Sequence, residues 1–414
     1  MKDSGISWVG EIPKEWTIMP LYCFYSERKN KNIFGAENNL LSLSYGNVIR
    51  KDINTSEGLL PSNYNGYNIV EAGDIIIRPT DLQNDKRSLR TGLSKERGII
   101  TSAYIALKPK NGINSRFYYY LLHTYDILKV FYNMGNGVRQ GLNYDEFAKL
   151  MVYSPSDTEQ QRIADFLDRE CGKIDRLKAD IQAQIDTLEQ YKRSIITEAV
   201  THGLNPSAPM KDSGIAWVGQ FPTHWTKKKG KYILRYMSKP VKQDDGVITC
   251  FRDGEVTLRS NRREDGFTMA DKEIGYQGVD VGDLVVHGMD GFAGAIGISD
   301  SRGKASPVLN VLNTKQNKKY IMYYLRSMAY GEVFTALSTG IRVRSCDLRW
   351  NKLAELLYPL PPIDEQNNIV NYIDEQIART NEIIVDKKSQ IETLDNYKKS
   401  LIFEYVTGQK EIAL

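Results

Sequence analysis

Apolar positions between Thr158 and Val200 recur with a helical period. Leu167, Ile174, Ile181, Leu188 and Ile195 lie seven residues apart and form one seam of a heptad repeat. Leu177, Ile185 and Tyr191 fill the neighbouring stripe less regularly. The stretch holds no Pro and a single Gly, Gly172, so it predicts one uninterrupted helix of 43 residues. At about 1.5 Å per residue such a helix spans roughly 65 Å. Asp157 or Thr158 can cap its start, because a short polar side chain accepts from the free N–H groups of the first turn. Gly203 stands just past its end, where a left-handed residue is favoured.

The same pattern returns at residues 364–406. At a shift of 206, Glu159-Gln160 falls on Glu365-Gln366, Ile163 on Ile369, Leu188 on Leu394, and Tyr191-Lys192 on Tyr397-Lys398. A helix with one apolar stripe needs a partner for it, and the simplest partner for each helix is the other.

Between the helices the period changes. Residues 1–16, MKDSGISWVGEIPKEW, reappear as MKDSGIAWVGQFPTHW at 210–225, with eleven of sixteen positions identical. Glu71-Ala72-Gly73-Asp74 followed by Ile75-Ile76-Ile77 answers to Asp280-Val281-Gly282-Asp283 followed by Leu284-Val285-Val286. Each reads as a turn leading into a buried strand. Gly98 to Leu107 and Ser306 to Leu312 hold the next place. The aromatic runs Phe117–Leu122 and Tyr320–Leu325 follow as helix candidates, then Gly137-Val138-Arg139 and Gly340-Ile341-Arg342. Pro155 and Pro361-Pro362 close the two globular segments, and His202 to Pro209 links the halves.

The chain therefore reads as a tandem duplication. The expected segments are 1–155, a globule; 156–203, a long helix; 204–361, a second globule; and 362–414, a second long helix with a tail. The expected fold is mixed α/β, with two globules at opposite ends of an antiparallel helix pair related by a pseudo-twofold axis. Antiparallel follows from geometry, since a twofold axis sets equivalent helices head to tail.

Charge sharpens this division. The whole chain has a net charge of +4, which on its own says little. Residues 1–155 carry 19 Lys and Arg against 15 Asp and Glu, and residues 204–361 carry 23 against 16. The helical segments are acidic, at 7 against 10 for 156–203 and 6 against 10 for 362–414. Two basic segments held apart by acidic helices suggest two sites for one polyanion. The four cysteines are scattered, which fits a reducing compartment and argues against a disulfide scaffold or a structural zinc site. The opening residues have no apolar signal core, and no stretch approaches 18 consecutive apolar residues, so no membrane span is expected.

These features resemble the specificity subunit of type I restriction–modification enzymes. The resemblance is carried by the openings Ser4 to Trp16 and Ser213 to Trp225, the Gly-Asp-apolar strands and the Gly-Val/Ile-Arg turns. The Glu-Gln-opened helices ending in Tyr-Lys-x-Ser (Tyr191 to Ser194, Tyr397 to Ser400) complete it. It implies a non-catalytic subunit of a prokaryotic, cytoplasmic complex, in which each globule reads half of a bipartite double-stranded DNA site. It implies that the helices space the half-sites and dock the modification (methyltransferase) subunits, two copies for two near-equivalent halves, with restriction (translocase-nuclease) subunits joining them. No cofactor is expected in this subunit, while S-adenosylmethionine, ATP and magnesium are expected on its partners.

A DNA reader needs cations and amides: Lys and Arg for phosphates, Arg, Lys, Asn and Gln for base edges. In the first globule Arg78, Lys86, Arg87, Arg90, Lys95 and Arg97 cluster on a polar, turn-rich stretch. In the second, Arg252, Arg259, Asn261, Arg262 and Arg263 do so. Each singly is also what a solvated surface charge looks like. Arg139 and Arg342 recur at the same place in the repeat, next to Gly137 and Gly340, with Gln140 and Arg344 close by. Phosphate contact is the first reading for this pair, and a buried salt bridge to Asp145 or Asp347 is the alternative. Trp8, Trp16, Trp217 and Trp225 are read as packing the globules rather than stacking bases.

Catalytic signatures do not emerge. Pro361-Pro362 lacks the polar residue and following aromatic of an amino-methyltransferase motif, and Gly135-Asn136-Gly137 opens no nucleotide fingerprint. There is no Walker loop, and His123, His202, His224 and His287 show no metal spacing. A stand-alone methyltransferase or nuclease, and a coiled-coil adaptor that binds only protein, are the rival readings.

Overall fold

The computed structural model describes residues 1–54, 63–80, 82, 88–134, 141–262, 273–337 and 348–412. The apolar run Ile75–Ile77 is a strand buried at every position, as a strand covered on both faces must be. It lies within a four-stranded antiparallel sheet of β1 (Tyr25–Glu27), β2 (Ile75–Ile77), β3 (Thr91–Leu93) and β4 (Ile105–Pro109), in the order β1-β4-β2-β3. The second half repeats it with β5 (Leu234–Tyr236), β6 (Leu284–His287), β7 (Ile296–Ile298) and β8 (Leu309–Thr314), in the order β5-β8-β6-β7. Registers correspond as well: Leu107 stands opposite Ile75, and Leu312 opposite Leu284. Gly73 and Gly282, which open the turns before β2 and β6, have φ of +92° and +83°, a conformation glycine adopts without a steric penalty.

The smaller pairings are duplicated too. Thr17–Pro20 pairs with Met151–Ser154, as Thr226–Lys229 pairs with Leu357–Leu360. The hairpin Leu41–Ser44/Asn47–Arg50 answers to Ile248–Cys250/Val256–Leu258. The aromatic runs form helices α1 (Ser115–Ile127) and, in the second half, α3 (Lys318–Tyr330). Asn114 and Asn317 cap them, each accepting from two backbone N–H groups of the first turn.

The long helices are α2 (Asp157–His202) and α4 (Ile363–Val406). Asp157 is already helical. Ser156, the residue before it, does the capping, with its Oγ accepting from Glu159 N at 3.3 Å. Gly203 follows the last turn of α2 with φ of +80°.

The described chain forms two compact units. One comprises Met1–Ile181 and Ser389–Leu414, the other Gln182–Lys388, so each holds one globule and part of both long helices. In the first unit Lys398 Nζ reaches Asp175 at 2.7 Å, and Lys178 pairs with Asp395. In the second, Lys192 Nζ donates to Asn381 Oδ1 at 2.8 Å, and Lys387 to Gln184. Rising numbers on α2 meet falling numbers on α4 in both units, so the helices run antiparallel. Lys192 and Lys398 are the lysines of the repeated Tyr-Lys pairs, and these cross-links are their structural work. Leu167, Ile174, Ile181 and Ile195 are buried, as the heptad predicts. The neighbouring stripe is not filled as expected: Ile185 is buried, whereas Leu177 and Tyr191 are exposed. Two antiparallel helices cover a narrow seam, and these two positions fall on its solvent side.

The repeated Glu-Gln pair joins each globule to a helix start. Trp16 Nε1 donates to Glu159 Oε2 at 3.0 Å, and Trp225 Nε1 to Glu365 Oε1 at 3.0 Å. Gln160 and Gln366, both buried, each donate to a proline-junction carbonyl at 2.9 Å, those of Pro155 and Pro361. Trp16 and Trp225 are themselves buried, so they pack the globules, as expected.

Candidate nucleic-acid interface

The sequence-predicted cations fall into three groups in the structure. Lys86, Arg87, Arg139, Gln140, Arg263, Arg342 and Arg344 lie outside the described residues. Arg90 and Arg97 are tied into the frame, and Arg78, Lys95, Arg252, Arg259, Asn261 and Arg262 stand at strand ends and turns, with partners of their own for Arg252, Asn261 and Arg262.

Arg90 is a correction. It is 0% exposed, so it cannot meet a phosphate. Its Nε donates to Tyr132 Oη at 3.0 Å, its Nη1 to Thr80 O, and its guanidinium lies 5.2 Å from the centre of the Tyr132 ring. The polar stretch around it looked like a surface loop, but Asp126, buried on α1, accepts from the backbone N–H groups of Arg90 and Thr91 and draws the chain inward. Burial holds the Asp126 carboxyl above the usual carboxylate range.

Arg97 is exposed yet engaged. Its Nε donates to Glu37 at 3.0 Å and its Nη1 to Glu71 at 2.7 Å. The second globule repeats this clasp: Arg302 Nη2 donates to Asp245 at 2.8 Å and Nη1 to Asp280 at 2.5 Å. Beneath each clasp the Gly-Asp carboxylate folds its own turn. Asp74 accepts from Glu71 N and Asp283 from Asp280 N, both at 2.8 Å. A cation then covers each, Arg28 Nη2 at 2.9 Å from Asp74 and Lys239 Nζ at 2.6 Å from Asp283. A device built twice from different residues in both halves belongs to the frame, so Arg97 is a frame residue as well.

The Arg302 guanidinium beside Asp245 holds that carboxyl down to about 2. A depressed carboxyl contributes stability that is complete above its unfolded value of about 4 and is lost as pH falls through about 2. Arg302→Ala should cost about 2 kcal/mol at neutral pH, since it strips a nearly buried carboxylate of its partner. Urea unfolding of wild type and variant across pH 2–7 should give curves that converge on acidification. A difference independent of pH would refute the clasp.

Arg78 is half-buried at the end of β2, with its backbone N bonded to Arg90 O at 2.9 Å. In the second globule Arg252 sits at the tip of the hairpin and is 67% exposed. Its Nη2 donates to Asp290 Oδ1 at 2.9 Å. Asp290 belongs to the turn that follows β6, the counterpart of the segment that follows β2. Arg262 pairs with Asp253 at 2.6 Å and lies 4.2 Å from the Phe251 ring centre. Asn261 Nδ2 donates to Thr257 Oγ1 at 2.9 Å, and Arg259 is half-buried. The two basic clusters are far apart in the repeat, one after β2 and one on a hairpin. The two hairpin tips, however, occupy corresponding places, each beside the segment following the central strand, Gly46 against Leu89 and Arg252 against Asp290.

That same position in the first globule holds Tyr45, which sequence reasoning passed over. Tyr45 and Gly46 have φ of +45° and +80°, the pair of positive values that makes a type I′ hairpin turn. Tyr45 is 78% exposed at the tip. Gly46 lies so close to Leu89 that a Cβ there would stand 3.2 Å from the Leu89 side chain, and Tyr119 Oη donates to Gly46 O at 3.4 Å. In the second globule Arg326 of α3 donates to Asp253 O at 2.8 Å and steadies the equivalent tip. The readable signal for the first tip was Leu-Ser-Leu-Ser-Tyr-Gly-Asn, an alternating strand ending in a Gly turn.

Among the described residues no helix is long and apolar enough to cross a membrane, and no group of three or more His, Cys, Asp or Glu is placed to hold a metal ion.

Residues 27–187 match the family model of the type I restriction modification DNA specificity domain, a recognition module rather than a catalytic one. The putative type I restriction enzyme MjaX specificity subunit of Methanocaldococcus jannaschii is 21% identical, over 97% of this chain and 95% of its own. The type I restriction enzyme EcoDI specificity subunit of Escherichia coli is 20% identical, over 72% of this chain and 70% of its own. A chain solved in work on complex assembly and conformational transition of the type I R-M system has the same fold, with a TM-score of 0.65 at 12% identity, covering 97% of this chain and 100% of that one. Residues 27–187 thus match a type I restriction modification DNA specificity domain, and over nearly its whole length the chain is similar to type I restriction enzyme specificity subunits.

Proposed function

We propose that this chain recognises a bipartite double-stranded DNA sequence, each globule reading one half-site. The observation that carries this reading is a frame built twice with two different tips. The sheet order, the carboxylate clasps and the Trp–Glu links recur in both halves, while Tyr45 occupies one hairpin tip and Arg252 the other. One architecture with two diverged surfaces suits two specificities.

The division into functional segments follows: 1–155 and 204–361 recognise DNA, while 156–203 and 362–414 serve assembly. Two near-equivalent helix surfaces suit two copies of a modification subunit, to which restriction subunits add in the prokaryotic cytoplasm. S-adenosylmethionine, ATP and magnesium then belong to those partners. Arg78, Lys86, Arg87, Arg139 and Gln140 in the first half, and Arg252, Arg259, Asn261, Arg262, Arg263, Arg342 and Arg344 in the second, are the proposed DNA contacts. Arg139 and Arg342 fall to phosphates.

Exchanging residues 17–155 for the matching segment of a homologue tests this. Mapping the methylated sites of a complex assembled on the chimaera should show one half of the target changed and the other kept. Both halves changing together would contradict two independent readers.

A further inference from the structure

We propose that Arg252 reads a guanine in the second half-site from the major groove, and that Asp290 is the residue that positions it. This rests on the DNA-recognition reading above. Three observations carry it beyond that reading.

First, Arg252 is exposed at the tip of a hairpin whose loop is anchored on both sides of it. Phe251 N bonds to Glu255 O at 2.8 Å, and Arg326 holds Asp253 O at 2.8 Å. Second, a carboxylate on an anchored turn aims the guanidinium. Asp290 Oδ1 accepts from Arg252 Nη2 at 2.9 Å, through one of the five N–H donors an arginine carries. Asp290 is fixed in turn by His287, whose Nδ1 accepts from Asp290 N at 2.9 Å and Met289 N at 3.2 Å. Burial lowers the pKa of His287 and keeps its ring neutral near pH 7, so Nδ1 remains an acceptor. Third, the electrostatics discriminate between the two things an arginine meets on DNA. A carboxylate 2.9 Å from the guanidinium repels a phosphate but not the neutral O6 and N7 of guanine, which the free edge of the fork can engage in bidentate fashion. A bare surface arginine has no such preference.

The test uses the full chain and a library of double-stranded oligonucleotides of random sequence, with bound sequences read position by position. Wild type should select guanine at one position of the second half-site. Arg252→Ala should lose that preference, about 5- to 100-fold, at that position alone. Asp290→Asn should weaken the same preference. It should also raise binding to unrelated DNA and steepen its salt dependence by up to about one unit, because the arginine is now open to phosphate. Asp290→Glu should retain the preference. The unchanged first half-site in each variant reports that the chain is folded and bound.

Uniform weakening on all sequences by Arg252→Ala, with a shallower salt slope, would make Arg252 a phosphate contact and overturn the proposal. An unaltered base profile in Asp290→Asn would reduce the pair to a surface ion pair and overturn it as well. A wild-type chain selective at the first half-site and with no guanine preference in the second sinks this proposal alone. A wild-type chain without any base preference sinks the recognition reading itself.

Discussion

Arg90→Met should destabilise the unit that contains it by roughly 3–5 kcal/mol while leaving the salt dependence of DNA binding by the folded protein unchanged. Methionine keeps the volume of the side-chain stem and removes the fork. Tyr132 Oη then loses the 3.0 Å bond from Nε in the interior, and Thr80 O, at an exposed residue, loses its bond from Nη1. Asp126 stays buried, still accepting from Tyr132 Oη at 3.2 Å and Thr91 N at 3.1 Å, but Tyr132, which links it to the guanidinium, keeps only Lys129 as a described cationic donor, with Nζ 2.9 Å from Tyr132 Oη. Lysine is a poor substitute, since its ammonium lacks the planar fork that reaches two acceptors at once. A surface phosphate contact behaves oppositely: its removal leaves the melting temperature alone and lowers the salt slope by about one unit. Thermal melting and a salt titration on the same variant separate the two roles. An unchanged melting temperature would return Arg90 to the DNA surface.

The frame was legible because the chain states it twice. Turns at Gly73 and Gly282, strands after them, caps at Asn114 and Asn317, and the long heptad helices all follow from short-range rules applied at a constant offset. The Glu-Gln pairs were visible as a repeat, but their work was not, since Trp16 and Glu159 are 143 residues apart in sequence. Site residues were less legible for the same reason. Arg78, Arg90 and Arg97 look alike in a polar stretch, and what separates them is a buried Asp126 and a Tyr132 that lie 36 and 42 residues beyond Arg90. Arg97 could have been set aside from the sequence alone, because Arg302 holds its place in the second half with acids in corresponding positions. Asp290 could not, because only the folded hairpin brings it to Arg252.

A loss of about 3–5 kcal/mol should also come from Trp225→Ala, confined to the unit formed by residues 182–388. Trp225 is 0% exposed, stacks on Phe221 with ring centres 6.1 Å apart, and donates to Glu365 at the start of α4. Gly203, at the end of α2, packs so tightly on it that a Cβ there would stand 3.2 Å from the indole. One side chain therefore fastens the opening motif, the start of one long helix and the end of the other. Truncation leaves a cavity where all three meet and deprives Glu365 of a donor, leaving it His224 Nε2 at 2.7 Å. Trp16 has the same duties in the other unit, stacked on Tyr153 at 5.6 Å, bonded to Glu159 and close against Gly408. Trp16→Ala should therefore cost a similar amount but expose different amides. Hydrogen exchange read by mass spectrometry should show protection falling within 182–388 for one variant, and within 1–181 and 389–414 for the other. Trp225→Phe divides the two contributions, since it refills much of the cavity but cannot donate to Glu365. It should recover most of the loss and leave about 1–2 kcal/mol, the cost of one unmade bond to a carboxylate. If the phenylalanine variant were no better than alanine, the Glu365 bond rather than the packed ring would be what fastens the globule to its helix.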